Sequence, residues 1–299
     1  MYKLKNSYID KMIANKLSSK EIDFVLHIAL YQDESGCVES VYYLDVCKAI
    51  KISYQKFYDI LYSLYDKGMI IYEKKNYSDF AVTLQGNSFD DVDYTSKNVP
   101  GYVNVAQNEF NDEQFMSLKA GSKLLYLYSQ RFINGKHMLV ENFYNEFCRL
   151  FNVVRKTMQY YVHELKEAKL LFINIKRNMA YHYEMMMKRS TVLYRKQMDI
   201  PSENHTYENN IASLIRRNFK RYLPDPAAGD PLNQIASLVT QKRSKQHKNI
   251  VDLLINAIKS SIKQQKDEGQ KNPILNAALV NKWFSAAQEQ QILLKYGIG

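Results

Sequence analysis

Residues 53–72 read SYQKFYDILYSLYDKGMIIY, and they carry the strongest local folding instructions in the chain. Ser53 is a good helix N-cap. Phe57, Ile60, Leu61 and Leu64 then recur at helical spacing and predict an amphipathic helix. Gly68 suits the left-handed position just past a helix end. Met69-Ile70-Ile71-Tyr72 opens a hairpin with the polar tip Glu73-Lys74-Lys75-Asn76 and the return strand Phe80 to Leu84.

Upstream, Ser18 and Glu21 form a capping box, with Leu17 and Ile22 as its staple. Ile22, Leu26, Ala29 and Leu30 share one face, which predicts a helix over 19–31. Asp33 to Gly36 breaks it. A short extended piece around Val38 follows, and then a second helix from about Ser40 to Ala49, with a turn at Lys51 and Ile52 before Ser53.

This pattern occurs twice. A shift of 101 positions lays residues 17–84 over 118–185 without a gap, and core-type residues carry the match: Leu17 on Leu118, Leu26 on Leu127, Tyr43 on Tyr144, Cys47 on Cys148, Phe57 on Met158, Leu64 on Leu165 and Ile70 on Leu171. One module is used twice. The second copy predicts helices over 118–132, 141–151 and 153–168, strands over 170–175 and 181–187, and a tip at Lys176-Arg177-Asn178. Lys169 stands where the first copy has Gly68.

Three helices with a short strand after the first, followed by a hairpin, resemble the winged helix-turn-helix family. The run Leu64-Tyr65-Asp66-Lys67-Gly68-Met69-Ile70 is similar to the segment that joins recognition helix to wing in that family. The resemblance implies a mainly α fold with small β-hairpins: a first winged-helix domain over 1–87, a linker over 88–101, a second winged-helix domain over 102–188, a linker over 189–206, and a helical C-terminal region over 207–299. The first linker carries Asp90, Asp91 and Asp93 and is expected to pack loosely. The family places the N-terminal half of the third helix in the major groove and the hairpin tip on the neighbouring backbone or minor groove. That implies double-stranded DNA contacts from Ser53, Tyr54, Gln55, Lys56 and Tyr58 with Lys74, Lys75 and Asn76 in the first copy. In the second it implies Arg155, Lys156, Thr157, Gln159 and Tyr160 with Lys176, Arg177 and Asn178.

Charge favours the second copy. The formal charge of +10 divides into −2 over residues 1–100 and +6 over each of 101–200 and 201–299, and every arginine lies beyond residue 100. Arg155 suits guanine O6 and N7, Gln159 suits adenine N6 and N7, and Lys156 and the wing cations suit phosphates. The tyrosines of the first copy, Tyr42, Tyr43, Tyr54, Tyr58, Tyr62 and Tyr65, suit a protein interface, so dimerisation through that copy stays open. Arg216, Arg217, Lys220 and Arg221 on a helix over 207–223 are candidates for phosphate contact, against a plain solvated face or a membrane surface. Lys242 to Lys248 reads as a flexible basic loop. Trp283 reads as the anchor of a small helical core.

Cys37, Cys47 and Cys148 have no CxxC spacing and read as buried packing thiols of a reducing cytoplasm, neither disulfides nor metal ligands. No stretch has the length of a membrane span, and the first residues do not make a secretion signal. There is no GxxxxGK[ST], HExxH or GxSxG motif. Tyr160-Tyr161 alone does not make a DNA-nicking pair, since Tyr181-His182-Tyr183 supplies one histidine where a metal clamp needs two. The expectation is a non-enzymatic, cofactor-free, nucleoid-associated cytoplasmic protein. Its size and tandem modules resemble replication initiators of plasmids and related mobile elements, with a looser likeness to the DnaD-type primosomal proteins. The C-terminal region would bind a replication or transcription protein. A transcriptional regulator and a protein-interaction scaffold are the alternatives.

Overall fold

The computed structural model describes residues 3–75, 78–90, 92, 100–105, 110, 112–131, 137–175, 182–187, 203–224, 231–241 and 250–295. They are mainly helical with small antiparallel sheets and form two compact units that divide at residue 200.

In the first unit, β1 (Lys3–Lys5) and α1 (Asn6–Ala14) precede a run of α2 (Ser19–Tyr31), β2 (Cys37–Tyr42), α3 (Tyr43–Ala49), α4 (Tyr54–Asp66), β3 (Ile70–Lys74) and β4 (Asp79–Leu84). After β5 (Tyr102–Asn104) and α5 (Glu113–Ser117) the run recurs as α6 (Ala120–Ser129), β6 (His137–Glu141), α7 (Phe143–Phe151), α8 (Arg155–Glu167), β7 (Leu171–Ile175) and β8 (His182–Met187). Each run closes a three-stranded sheet in the order first, third, second: β2-β4-β3 and β6-β8-β7.

The turns repeat as closely as the elements. Ile52 N–H donates to Cys47 O at 3.0 Å, and Val153 N–H to Cys148 O at 3.0 Å. In both, the preceding residue is left-handed, Lys51 at φ 53° and Asn152 at φ 49°. Past the third helix, Met69 N–H returns to Leu64 O and Leu170 N–H to Leu165 O, which places Gly68 at φ 63° and Lys169 at φ 56°. Lys169 therefore takes the glycine's conformation, at a cost of about 1–2 kcal/mol for a side chain in that region.

Several expectations need correction. Ser40 to Tyr42 belong to β2, because pairing with β4 continues through a bulge between Val38 and Val41, so the second helix starts at Tyr43. The first helix of the second copy is shorter than expected, Ala120–Ser129, with Leu118 extended before it. The first linker does not begin loosely: Phe89 is buried and its N–H donates to Glu34 O at 2.6 Å, and the chain is fixed just before it. Asn87 is fully buried; its Oδ1 accepts from Lys5 N–H at 2.8 Å, and its Nδ2 donates to Lys3 O at 3.0 Å and Gln32 Oε1 at 2.8 Å. This amide network fastens β1, which pairs antiparallel with β5. Cys37, Cys47 and Cys148 are free and half-buried, and Cys47 and Cys148 pack against the edge of the core, not within it.

One apolar core runs through the whole first unit, from Leu4 and Ile9 through Phe24 and Phe57 to Phe115, Phe143 and Leu165. Complete burial of a side chain such as Phe57 contributes about 1.5–3 kcal/mol. The two runs meet where α1 and α2 pack on α6. Arg131 donates to Asn6 O at 2.6 Å and Asp10 Oδ1 at 2.7 Å there, and Ser19 Oγ donates to Leu118 O at 3.1 Å. Between α2 and α6, Lys123 Nζ lies 2.5 Å from Asp23 Oδ1, with both side chains fully buried.

Also on α2, burial pulls His27 down to about 4, with its ring 5.1 Å from that of Tyr31. The folded chain keeps it neutral, whereas the unfolded chain protonates it below about pH 6.5. Stability is therefore lost as pH falls through the unfolded value toward the folded one, by about 2 kcal/mol between pH 7 and pH 5. Urea midpoints at the two pH values should differ accordingly, and His27→Leu should narrow the difference. An unchanged difference would assign it to the carboxylates.

The second unit consists of α9 (Glu203–Phe219), a 3₁₀ turn (Lys220–Tyr222), α10 (Pro231–Gln241), α11 (Ile250–Asp267) and α12 (Ala277–Lys295) around Ile215, Ile235, Val239, Leu254, Ile258, Val280 and Phe284. Trp283 is not the core anchor: Phe284 falls one helical turn after Val280 and fills that place, while Trp283 turns outward and donates Nε1–H to Gln264 Oε1 at 2.9 Å. No helix among the described residues is long and apolar enough to cross a membrane.

Candidate nucleic-acid interface

The third helix of each run is held against the first by a hydrogen-bonded carboxylate, and the two copies supply it from opposite sides. In the first copy Glu21 of α2 accepts from Ser63 Oγ and Lys67 Nζ, both at 2.6 Å, and from Ser18 N–H at 2.6 Å. Burial pushes Glu21 up, but these donors outweigh it and hold its carboxyl below the ordinary value. In the second copy Ser122 stands at the position of Glu21 and Glu164 at that of Ser63. Glu164 of α8 accepts from Ser122 Oγ and, at 3.3 Å, from Lys119 N–H at the start of α6. The carboxylate has changed helices while the bond has stayed. The exchange is visible at the 101-residue offset once both positions are read together.

With the third helices fixed, their outward faces differ in kind. In the first copy Ser53 is spent as the N-cap, accepting from Lys56 N–H at 3.2 Å. Gln55 donates to Asp59 at 3.1 Å, and Lys56 is exposed. Along the rest of the helix, rings follow one another from Tyr43 to Tyr54 (5.1 Å between centroids), Tyr58 (4.8 Å) and Tyr62 (6.2 Å), then to Tyr72 of β3 (6.2 Å) and Tyr65 (5.4 Å). Tyr54, Tyr62 and Tyr65 are about half exposed, and Ile71 of β3 and Leu44 of α3 are exposed as well. In the hairpin, Lys74 is exposed and Lys75 lies 3.3 Å from Glu73.

The second copy replaces that stripe position by position: Arg155 for Tyr54, Gln159 for Tyr58, His163 for Tyr62 and Lys166 for Tyr65. Arg155, Lys156, Gln159 and Tyr160 are exposed and Thr157 is half-buried on the first turns of α8. Tyr160 donates weakly to Glu164 at 3.4 Å, with Lys119 Nζ 4.4 Å from its ring centre. Tyr161 turns inward instead, against Gly121. Arg131 is spent on Asp10 and Arg149 on Glu146. Among the described residues no carboxylate pairs with Arg155, whose guanidinium lies 5.0 Å from the Tyr144 ring centre. Lys176, Arg177, Asn178 and Asn76 lie outside the described residues, as do the basic stretch 242–248 and the linker residues 189–202.

The basic cluster of the second unit does not form one helical face. Arg216 is exposed and Arg217 half-buried on α9, whereas Lys220 and Arg221 sit in the 3₁₀ turn that begins once Phe219 has entered the core. Arg221 lies over Tyr222 at 4.8 Å. No family model, curated protein or solved structure matches the chain.

Proposed function

We propose that the two runs of the first unit are tandem winged helices and that the second reads double-stranded DNA sequence-specifically. The observation that carries this is the first turn of α8, where Arg155 keeps its donors clear of any described carboxylate beside exposed Lys156 and Gln159. A bidentate guanidinium discriminates guanine, the glutamine amide discriminates adenine, and the lysine adds phosphate attraction of no sequence preference. The sheet order of both runs supports β3-β4 and β7-β8 as the wings.

The role that fits two modules followed by a helical unit is initiation of replication on a plasmid, phage or related element, with the second unit recruiting a replication protein. Genome-wide binding to DNA of the protein's own source tests it. Clustered direct repeats are expected, isolated palindromes at promoters would favour a regulator, and enrichment of nothing would overturn DNA binding. At the residue level, Arg155→Ala is expected to cost about 1–3 kcal/mol at a selected site and relax its base preference. Lys176→Ala and Arg177→Ala should instead weaken all sequences alike and flatten the salt dependence. An Arg155→Ala chain with intact preference would exclude this helix as the reader.

A second reading concerns the first copy, whose third helix faces outward with tyrosines and few net charges. Half-exposed rings with hydroxyls, with Lys56 offset by Asp59 and Asp66 on the same helix, suit a protein interface, so this copy serves protein contact, through dimerisation or a scaffold partner, while the second serves DNA.

A further inference from the structure

We propose that Tyr144 is the positioning residue for Arg155, a platform that presents the guanidinium edge to a guanine; this rests on the reading of α8 as a DNA reader. Tyr144 follows the first residue of α7 and is half-buried against the core. Its ring lies 5.1 Å from Phe143 and meets Tyr183 of β8 edge-on at 5.4 Å. It thus links the start of the second helix to the hairpin, and Arg155 lies 5.0 Å from its ring centre. Burial pushes its phenol up, so the ring stays neutral throughout the range in which DNA binding is measured.

The first copy identifies the platform as part of the fold and Arg155 as the part that changed. There Tyr43 occupies the same position and holds Tyr54, at 5.1 Å and edge-on, where the second copy has Arg155. An arginine is suited to the exchange. It stacks through the flat face of the guanidinium, which leaves the edge N–H groups for O6 and N7. An exposed arginine on the first turn of a helix samples many rotamers, and a base contact must then immobilise it at an entropic cost. Held on a ring, it has lost that freedom before DNA arrives. Phosphate contacts gain nothing from the same restraint, so the platform acts on discrimination and leaves non-specific affinity alone.

The test uses the full-length chain, a duplex selected by the wild-type protein from a random pool, and the same duplex with its contacted guanine replaced. Tyr144→Leu is expected to reduce discrimination between the two about fivefold, the upper end of an exposed cation–π contact, with the salt slope unchanged. Tyr144→Phe, which keeps the ring, should retain it. In an Arg155→Ala background, Tyr144→Leu should add no further loss, because its effect passes through that side chain. Additive losses would make Tyr144 a merely structural residue and overturn the proposal, as would full discrimination in Tyr144→Leu alongside its loss in Arg155→Ala. Discrimination that survives Arg155→Ala removes the α8 reader itself, and this inference with it. Should Tyr144→Leu not fold, the free wild-type protein decides: Arg155 side-chain proton resonances shifted upfield by the ring support the platform, and random-coil positions exclude it.

Discussion

Replacing Lys123 with methionine is expected to cost the first unit about 3–5 kcal/mol, close to half of a typical domain's stability. Lys123 and Asp23 are both inaccessible to solvent, and the ammonium is satisfied on several sides: Asp23 Oδ1 at 2.5 Å, Met116 O at 3.1 Å and the Phe115 ring at 5.3 Å. The second carboxylate oxygen faces Lys20 at 3.4 Å. Burial pushes Asp23 up and Lys123 down, each toward its neutral form, and their mutual attraction counters only part of this. Removing the lysine alone leaves the buried Asp23 carboxylate with only the more distant, partly exposed Lys20. The double variant Lys123→Met with Asp23→Leu should regain most of the loss, because an apolar pair of similar volume avoids both desolvation penalties. Urea denaturation of the three chains checks this. A Lys123→Met chain as stable as the wild type would mean that the pair is hydrated in solution. Asp23 lies on α2 and Lys123 on α6, so the single variant is also expected to loosen one run from the other.

The second large effect is expected at Gly121. A Cβ there would lie 2.0 Å from Tyr161 Cζ and 2.4 Å from its Oη, so in its present rotamer the Tyr161 ring fits between α6 and α8 because position 121 carries no side chain. Gly121→Val is expected to cost about 3 kcal/mol, at the top of the usual range for overpacking. The first copy shows the alternative solution: Lys20 and Ile60 occupy the corresponding positions, with the bulk moved from the third helix to the first. Tyr161→Leu should therefore restore much of the stability in the Gly121→Val background. Thermal midpoints of the single and double variants measure this, and equal losses with and without Tyr161 would place the strain elsewhere.

The sequence was most legible where the instruction is local. Ser53 caps α4, Ser18 and Glu21 make the capping box of α2, and Gly68 takes the left-handed turn, because each acts within a few residues of itself. Elements that depend on distant partners could not be read this way. β1 is three residues long and exists because Val103 and its neighbours pair with it, and Ser40 to Tyr42 are strand only because β4 lies alongside. The Asp23–Lys123 pair joins two residues that are ordinary surface types in any local reading. Of the candidate interface, the exposure of Arg155, Lys156 and Gln159 followed from helical periodicity. The contact of Arg155 with the Tyr144 ring did not, although the alignment of Tyr43-Tyr54 with Tyr144-Arg155 held the signal.

The carboxylate that changed helices limits how this chain can be rebuilt. Grafting residues 155–167 in place of 54–66 would bring Glu164 to face Glu21, setting two acids against one helix start. The reverse graft would bring Ser63 to face Ser122 and strip α6 of the anion at its N-terminus. The smallest transplantable part is therefore the first and third helix of a run together, and a third helix moved from one half to the other must bring its matching first helix.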